Sequence, residues 1–277
     1  MREYIKGLLD RLVANESVWN VFFKIVVVPV KYAIYQRKMF PHKEAILKIE
    51  SIFSDRVVKN GVFKGMRYPK MKSSGSTLFP KLLGSYEAEL SSTIEEIATK
   101  KYTDIVDIGC AEGFYAIGLA MRLPTSNVYA FDVNEKAVLL CKEMANLNEV
   151  GHRVTFGKFC DAQVLSSLPL GDKALIVSDC EGYEKDLFTR SLVNQLSKHD
   201  FLIEVHDVFD IEISSTLKEA FSETHHIEVI TSIDDIKKAK TYSYPELHEL
   251  NINEKLLCVA ELRGNEMEWF YCTSKSC

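Results

Sequence analysis

An α/β protein built on a mostly parallel sheet is the fold class this sequence predicts, and three observations support it. From about residue 85 onward, helical and strand-like segments alternate, as they do when a crossover helix joins each strand to the next. The stretch Asp104-Ile-Val-Asp-Ile-Gly-Cys-Ala-Glu-Gly-Phe-Tyr-Ala-Ile-Gly118 reads as a short buried strand, Ile105 to Ile108, running into a glycine-bearing turn that opens a helix at Gly113. A second strand, Asn127 to Phe131, ends in Asp132, twenty-three residues beyond Gly109.

Three regions follow one another: a helical N-terminal extension (1–56), a hairpin and loop lead-in (57–84) and the α/β domain (85–277). Within the extension, Val18 to Tyr35 is strongly apolar and aromatic, but Asn20, Lys24, Pro29 and Lys31 interrupt it. A membrane-spanning helix needs about twenty mostly apolar residues without such breaks. The segment is expected to dock on the α/β domain. The alternative is a membrane-surface or partner-binding helix, since Lys31, Arg37, Lys38 and Lys43 follow closely and suit anionic lipid. Val57 to Tyr68 alternates around Asn60-Gly61, a hairpin signal, and Lys70 to Gly75 reads as a flexible polar loop.

The α/β domain starts with a helix over Ser85–Lys100, with Ser85 or Ser91 as its start signal. Strands are expected near 104–108, 127–132, 153–157, 174–179 and 200–206, with helices near 113–123, 134–147, 183–197 and 214–223. The tail adds strands over His226–Thr231, Lys255–Leu262 and Met267–Cys272, the last two joined by a hairpin turn at Arg263-Gly-Asn-Glu266.

Composition sets the outer limits. At 277 residues, 47% hydrophobic and 26% charged, the chain suits one soluble α/β domain of about 180 residues plus an addition. A net charge of −5 gives no general basic field for nucleic acid. Seven scattered cysteines without a Cys-x-x-Cys pair argue against a disulfide framework or zinc site and for a reducing compartment. The first ten residues mix charges and lack an apolar core, which reads against a signal peptide and for a cytoplasmic protein.

Gly109 and Gly113 let the backbone turn tightly and approach a ligand that a Cβ would exclude. Such a ligand would also meet the free N–H groups of a helix N-terminus. An acid at the end of the next strand, Asp132, is placed to accept the two hydroxyls of a ribose. Together these describe a nucleoside-binding unit. The dinucleotide fingerprint Gly-x-Gly-x-x-Gly is not met, because its places hold Gly109, Ala111 and Phe114. Asp107, two residues before the first glycine, points elsewhere: acid-x-Gly-x-x-x-Gly after a strand resembles the first motif of class I S-adenosylmethionine-dependent methyltransferases. The resemblance implies a Rossmann-like fold with a central, mostly parallel seven-stranded sheet. It also implies S-adenosylmethionine held by Asp107, Gly109, Cys110, Gly113, Phe114 and Tyr115, by Asp132 and Val133, and near the adenine by Asp161 and Ala162. Tyr86 and Glu87, at the opening of the preceding helix, would cover its methionine end.

A second run, Ala174-Leu-Ile-Val-Ser-Asp-Cys-Glu-Gly-Tyr-Glu-Lys-Asp186, puts Asp179 and Glu181 at a strand end, on the edge where such sheets bind ligands. Phe201-Leu-Ile-Glu-Val-His-Asp207 puts Glu204, His206 and Asp207 at the end of its neighbour. Charged side chains there are costly to bury without purpose. Asp-x-Glu-Gly-x-Glu followed by Glu-x-His resembles the FkbM-type family of O-methyltransferases, as do Gly61 to Pro69, Phe79 to Glu89 and Glu268-Trp-Phe270. That resemblance spans about residues 55 to 275.

Methyl transfer to an alcohol oxygen requires alignment and removal of a proton. Asp179 is the first candidate base, with Glu181 or His206 as its partner. Asp179, Glu204 and His206 are candidate ligands for a divalent ion, magnesium or manganese, that would lower the hydroxyl pKa. The structural readings are a hydrogen-bonded strand-end His206, an anchoring Glu204 and a small buried Cys180. Asp179-Cys-Glu-Gly182 stands where an amino-directed enzyme of this class would carry Asn/Asp-Pro-Pro-aromatic, which favours oxygen. The expectation is an O-methyltransferase acting on a small-molecule or glycan hydroxyl, such as that of a sugar or lipid-linked surface-glycan precursor. The alternative is a non-catalytic scaffold of the same fold that binds partners.

Overall fold

The computed structural model describes residues 43–276 together with positions 6, 7, 14, 19, 26 and 30. The chain divides into two compact units, Met1–Ser51 and Ile52–Cys277. Helix α1 (Lys43–Ile52) runs up to their boundary. The apolar Val18–Tyr35 segment lies outside the described residues apart from positions 19, 26 and 30. Among the described residues, no helix is long and apolar enough to cross a membrane.

The second unit is organised by seven strands: β1 (Asp104–Ile108), β2 (Asn127–Phe131), β3 (Val154–Gly157), β4 (Ala174–Ser178), β5 (Asp200–Val205), β6 (His225–Thr231) and β7 (Glu268–Ser274). They form one sheet in the order β3-β2-β1-β4-β5-β7-β6. Strands β1 to β5 pair in parallel, and β7 runs antiparallel between β5 and β6. This is the Rossmann-like sheet of class I methyltransferases. β1, β4 and β5 are buried along their whole length, which is why their sequences read as continuous apolar runs rather than as alternation. Asp104 and Asp200 within them are satisfied. Asp200 accepts from Tyr102 Oη at 2.7 Å, Lys173 Nζ at 2.6 Å and the Ser274 amide at 2.8 Å.

Helices cover both faces. In the order of the chain they are α2 (Leu78–Leu83), α3 (Ser91–Thr99), α4 (Phe114–Arg122), α5 (Glu135–Leu147), α6 (Ala162–Ser167), α7 (Glu184–Leu187), α8 (Arg190–Gln195), α9 (Ile213–Phe221), α10 (Asp235–Thr241) and α11 (Ile252–Val259). Helix α5 shows the sequence logic: Asn134 caps it by accepting from the Lys136 amide, and Ala137, Leu140, Cys141, Met144 and Ala145 form its buried stripe. On the other face, Phe188, Phe201 and Phe221 meet edge-on with centroids 4.9 to 6.0 Å apart. Edge-to-face pairs of this kind contribute about 0.5–1.5 kcal/mol each beyond area burial. The six described cysteines are free thiols.

Several expectations are corrected. Lys255–Leu262 is not a strand: Asn251 caps α11 through a capping box with Glu254, and Ile252–Val259 is helical. The antiparallel pair therefore joins β6 to β7, with α10, which the sequence reading missed, and α11 between them. Ser85–Lys100 is not one helix, since Glu87 sits in the left-handed region at φ 48° before a 3₁₀ turn and α3. The 183–197 helix is broken into α7 and α8, with Thr189 capping the second piece. Asn60-Gly61 does not make a two-residue hairpin turn. A single antiparallel bridge, Val57 with Arg67, closes a wider loop, and Gly61 packs so tightly on the backbone of Gly84 that an added Cβ would lie 2.3 Å from its carbonyl oxygen.

Candidate functional site

The chain runs from β1 to β3 towards one side of the sheet and then resumes at β4 on the other, so β1 and β4 part at a switch point where ligands bind in open α/β sheets. A cleft of 570 Å³ opens there, within the roughly 300–1,000 Å³ usual for small-molecule sites. The parallel register aligns Ile108 with Phe131 and with Ser178, and Ser178 with Ile203. The residues that follow these positions therefore converge on one edge of the sheet.

The glycine turn forms the floor. Gly109 has φ 85°, and a Cβ on it would stand 1.7 Å from the carbonyl oxygen of Asp179, so turn and β4 end touch through backbone alone. Ala111 is left-handed at φ 46°, which explains why a glycine would sit comfortably at that place. The Asp132 carboxylate holds the turn: Oδ2 accepts from the Ala111 amide at 2.8 Å and Oδ1 from the Asn134 amide at 2.7 Å. Each of its oxygens keeps a lone pair for a further donor. Buried Asp107 leaves Oδ2 without a partner, and its burial, reinforced by nearby Asp132, pushes its pKa up to about 7. An orphaned buried carboxylate oxygen and an acid with spare acceptors beside a glycine turn fit the ammonium and ribose of S-adenosylmethionine.

The sequence candidates divide on inspection. Tyr86, Asp107, Gly109, Cys110, Phe114, Tyr115, Asp132 and Val133 all line the cleft, as do Asp179, Glu181, Glu204 and His206. Gly113 lies behind the turn as the N-cap of α4. Asp161 and Ala162 do not line it: Asp161 caps α6 by accepting from the Val164 amide at 2.8 Å, and Phe159 and Cys160 occupy that part of the wall instead. Glu87 stands one layer back, where it receives the Tyr115 hydroxyl and pairs with Arg263. Burial and the charge of Glu204 raise its pKa to about 8.

At the other end lie the acids of β4 and β5. His206 is 4% exposed; its Nδ1 is 2.7 Å from Glu184 Oε1, and its Nε2 stands 3.5 Å from Asp179 Oδ1 and 3.7 Å from Glu181 Oε2. Burial disfavours the imidazolium, but the Glu184 hydrogen bond and the Glu204 charge outweigh it and hold the His206 pKa above its ordinary value. Asp179 faces the cleft with Oδ1 unpartnered, and burial together with Glu204, Glu87 and Glu181 pushes its carboxyl well above the usual range. Glu181 carries a left-handed backbone at φ 53° beside Gly182. Strain of this kind, about 1–3 kcal/mol per residue, collects where structure serves a site. Glu204, expected as a metal ligand, gives Oε1 to Arg263, and its Oε2 stands 3.7 Å from His206 Nε2.

Arg263 was read as a turn residue, yet it ties together Glu87, Glu204 and Glu261. Its partners lie up to 176 positions away, so nothing local announces the role. Glu112, inside the glycine motif, was also missed. Fully buried, it pairs with Lys81 Nζ at 2.6 Å and accepts from Ser73 and the Ser74 amide, fixing one end of the Lys70–Gly75 loop over the cleft. Its position in a turn that must meet the cofactor was the available signal.

A glycine turn after β1, an acid after β2 and a cleft between β1 and β4 on this sheet define the class I methyltransferase fold. Residues 90–179 match the model of the methyltransferase small domain. The chain is 30% identical over 105 residues to a release factor glutamine methyltransferase of Flavobacterium psychrophilum, covering 38% of this chain and 35% of that protein. It is 26% identical over 167 residues to a probable cobalt-precorrin-6B C(15)-methyltransferase (decarboxylating) of Pyrobaculum calidifontis, covering 60% and 83%. The chain thus spans about a third of the first relative and most of the second. Among solved structures, precorrin-6y C5,15-methyltransferase from Geobacter metallireducens is similar with a TM-score of 0.47 and 13% identity, over 68% of this chain and 87% of that one.

Proposed function

We propose that the protein is an S-adenosylmethionine-dependent methyltransferase directed at oxygen. The observation that carries this reading is the meeting, in one cleft, of the Asp132-braced glycine turn with an Asp179–His206–Glu184 array. When bound, S-adenosylmethionine supplies a sulfonium methyl group; the acceptor oxygen bonds to its carbon while the C–S bond electrons pass to sulfur. Asp132 would take the ribose hydroxyls, and Asp107 would face the ammonium. Asp179 Oδ1 would accept the hydroxyl proton, and its raised pKa makes the carboxylate a stronger base than an ordinary one. Glu184 orients His206 towards Asp179.

The acceptor class rests on motif likeness. Asp179-Cys-Glu-Gly-Tyr-Glu184 and Glu204-Val-His206 resemble FkbM-type O-methyltransferases, which supports a hydroxyl of a sugar or surface-glycan precursor. The relatives matched by sequence act, by their names, on a release factor glutamine and on C(15) of cobalt-precorrin-6B, so the acceptor is the part of the proposal that most needs testing. The cofactor test is calorimetric titration and thermal shift with S-adenosylhomocysteine and with NAD. Binding of the first and indifference to the second is expected; binding of NAD alone refutes the proposal.

A further inference from the structure

Arg263 and Lys238 neutralise much of the buried charge around the cleft. Arg263 serves Glu87, Glu204 and Glu261, and Lys238 serves Glu261. Asp179 and Glu181 are left facing His206, whose Nδ1 side is already committed to Glu184. Asp179 keeps Oδ1 without a partner, and two carboxylates that meet at one histidine can be served together by a cation from outside the chain. Three donor atoms, one each from Asp179, Glu181 and His206, lie within 4.8 Å of one another. Around an ion with bonds of about 2.1 Å, neighbouring ligands stand about 3.0 Å apart and opposite ones about 4.2 Å. The 3.5 and 3.7 Å separations from His206 Nε2 fall between these values.

The imidazole is prepared in the way a metal ligand requires. Its side chain is 5% exposed, Nδ1 is within hydrogen-bond distance of a fully buried Glu184 carboxylate, and Nε2 points into the cleft with no hydrogen bond. A carboxylate behind the histidine fixes the Nδ1–H tautomer, leaving the Nε2 lone pair free to bind. The Gly182 amide donates to the same Glu184 oxygen at 3.1 Å and helps to fix the carboxylate behind the histidine.

We propose that Asp179, Glu181 and His206 form a divalent-cation site at the acceptor end of the cleft, with Glu184 as the positioning residue for His206. Two carboxylates and an imidazole suit manganese, iron or cobalt. Glu181 is 71% exposed, so the site is open on the cleft side and leaves coordination positions for an acceptor oxygen. The site rests on the methyl-transfer reading only for its purpose, which is to favour an ionised acceptor hydroxyl.

The test is titration of the full chain with manganese(II), followed by electron paramagnetic resonance and calorimetry. One site of micromolar affinity is expected. Glu181→Gln, at an exposed position that leaves the fold intact, should weaken manganese at least about tenfold, as should His206→Gln, while Glu184→Gln should weaken it about 10- to 100-fold with melting temperature and S-adenosylhomocysteine affinity unchanged. Wild-type protein that binds no manganese below about 1 mM, or equal affinity in all these variants, overturns the site. Calorimetry with S-adenosylhomocysteine on the same samples separates the two claims: retained binding without manganese sinks the cation site alone, and absent binding sinks the methyl-transfer reading.

Discussion

Gly109→Ala tests the contact on which the site is built. Gly109 occupies the left-handed region at φ 85°, which costs a residue with a Cβ about 1–2 kcal/mol. The added methyl would lie 1.7 Å from the Asp179 carbonyl oxygen and 2.7 Å from its carbon, both backbone atoms that no rotamer change can move. Ordinary contact begins at 3.4 Å, so the ends of β1 and β4 must part by about 1.7 Å. That movement opposes the hydrogen bond from the Asp179 amide to the Ile108 carbonyl, now 2.9 Å. Overpacking of this kind typically costs about 1–3 kcal/mol, giving a total of about 2–5 kcal/mol. At about 2–4 °C per kcal/mol for a unit of this size, the melting temperature should fall by roughly 5–20 °C. Asp179 is displaced with the strand, so turnover should drop by about 10²-fold or more in the surviving protein. Calorimetric unfolding gives the first figure and a methyl-transfer assay the second. Gly264→Ala, where nothing lies within 4 Å of the new Cβ, serves as the control. A Gly109→Ala protein melting within about 2 °C of wild type, with S-adenosylhomocysteine affinity intact, would refute the claimed contact.

Asp132→Asn keeps shape but turns one charge-assisted hydrogen bond into an amide contact, so S-adenosylhomocysteine should bind about 10- to 100-fold more weakly by calorimetry. Asp179→Asn cannot take a proton, and turnover of an identified hydroxyl acceptor should fall about 10²- to 10⁴-fold while cofactor affinity holds; near wild-type turnover would remove Asp179 from the chemistry. His199 is buried, accepts from the Ala174 amide at 3.0 Å, and is held at a pKa of about 4 by burial and by the charges of Lys198 and Lys173. The unfolded chain takes up the proton below its ordinary pKa of 6.5 while the folded form does not, so stability should be lost as pH falls from 6.5 towards 4. The loss should reach about 3 kcal/mol, and denaturant titrations of His199→Asn should show a pH slope shallower by that amount.

The sequence by itself determined the sheet's central strands and the glycine-turn end of the cleft. Those features are written in short-range patterns: a buried run of five residues, a glycine turn, an acid after the next strand. Parallel strands buried on both faces leave continuous apolar stretches, so β1, β4 and β5 were legible to within a residue. Asp179, Glu181, Glu204 and His206 were legible for the related reason that charge at the end of such a run is conspicuous.

Tertiary structure decided the remainder. Amphipathic segments in the tail carry nearly balanced local preferences, and α11 was settled by its capping box and by packing. Arg263 became the hub of three carboxylates because the loop before β7 folds back over the cleft, a meeting across 59 and 176 positions that no local spacing encodes. Glu204, read from the sequence as a candidate ligand, shares its carboxylate between Arg263 and the neighbourhood of His206. Glu184, the last acid of a motif whose role the sequence left open, was given its place by the turn from β4 into α7, which sets it fully buried behind His206. Sequence patterns record what each residue prefers among its neighbours. Which charge meets which across the sheet edge follows from topology, because the energy of those pairs exists only once the chain has closed.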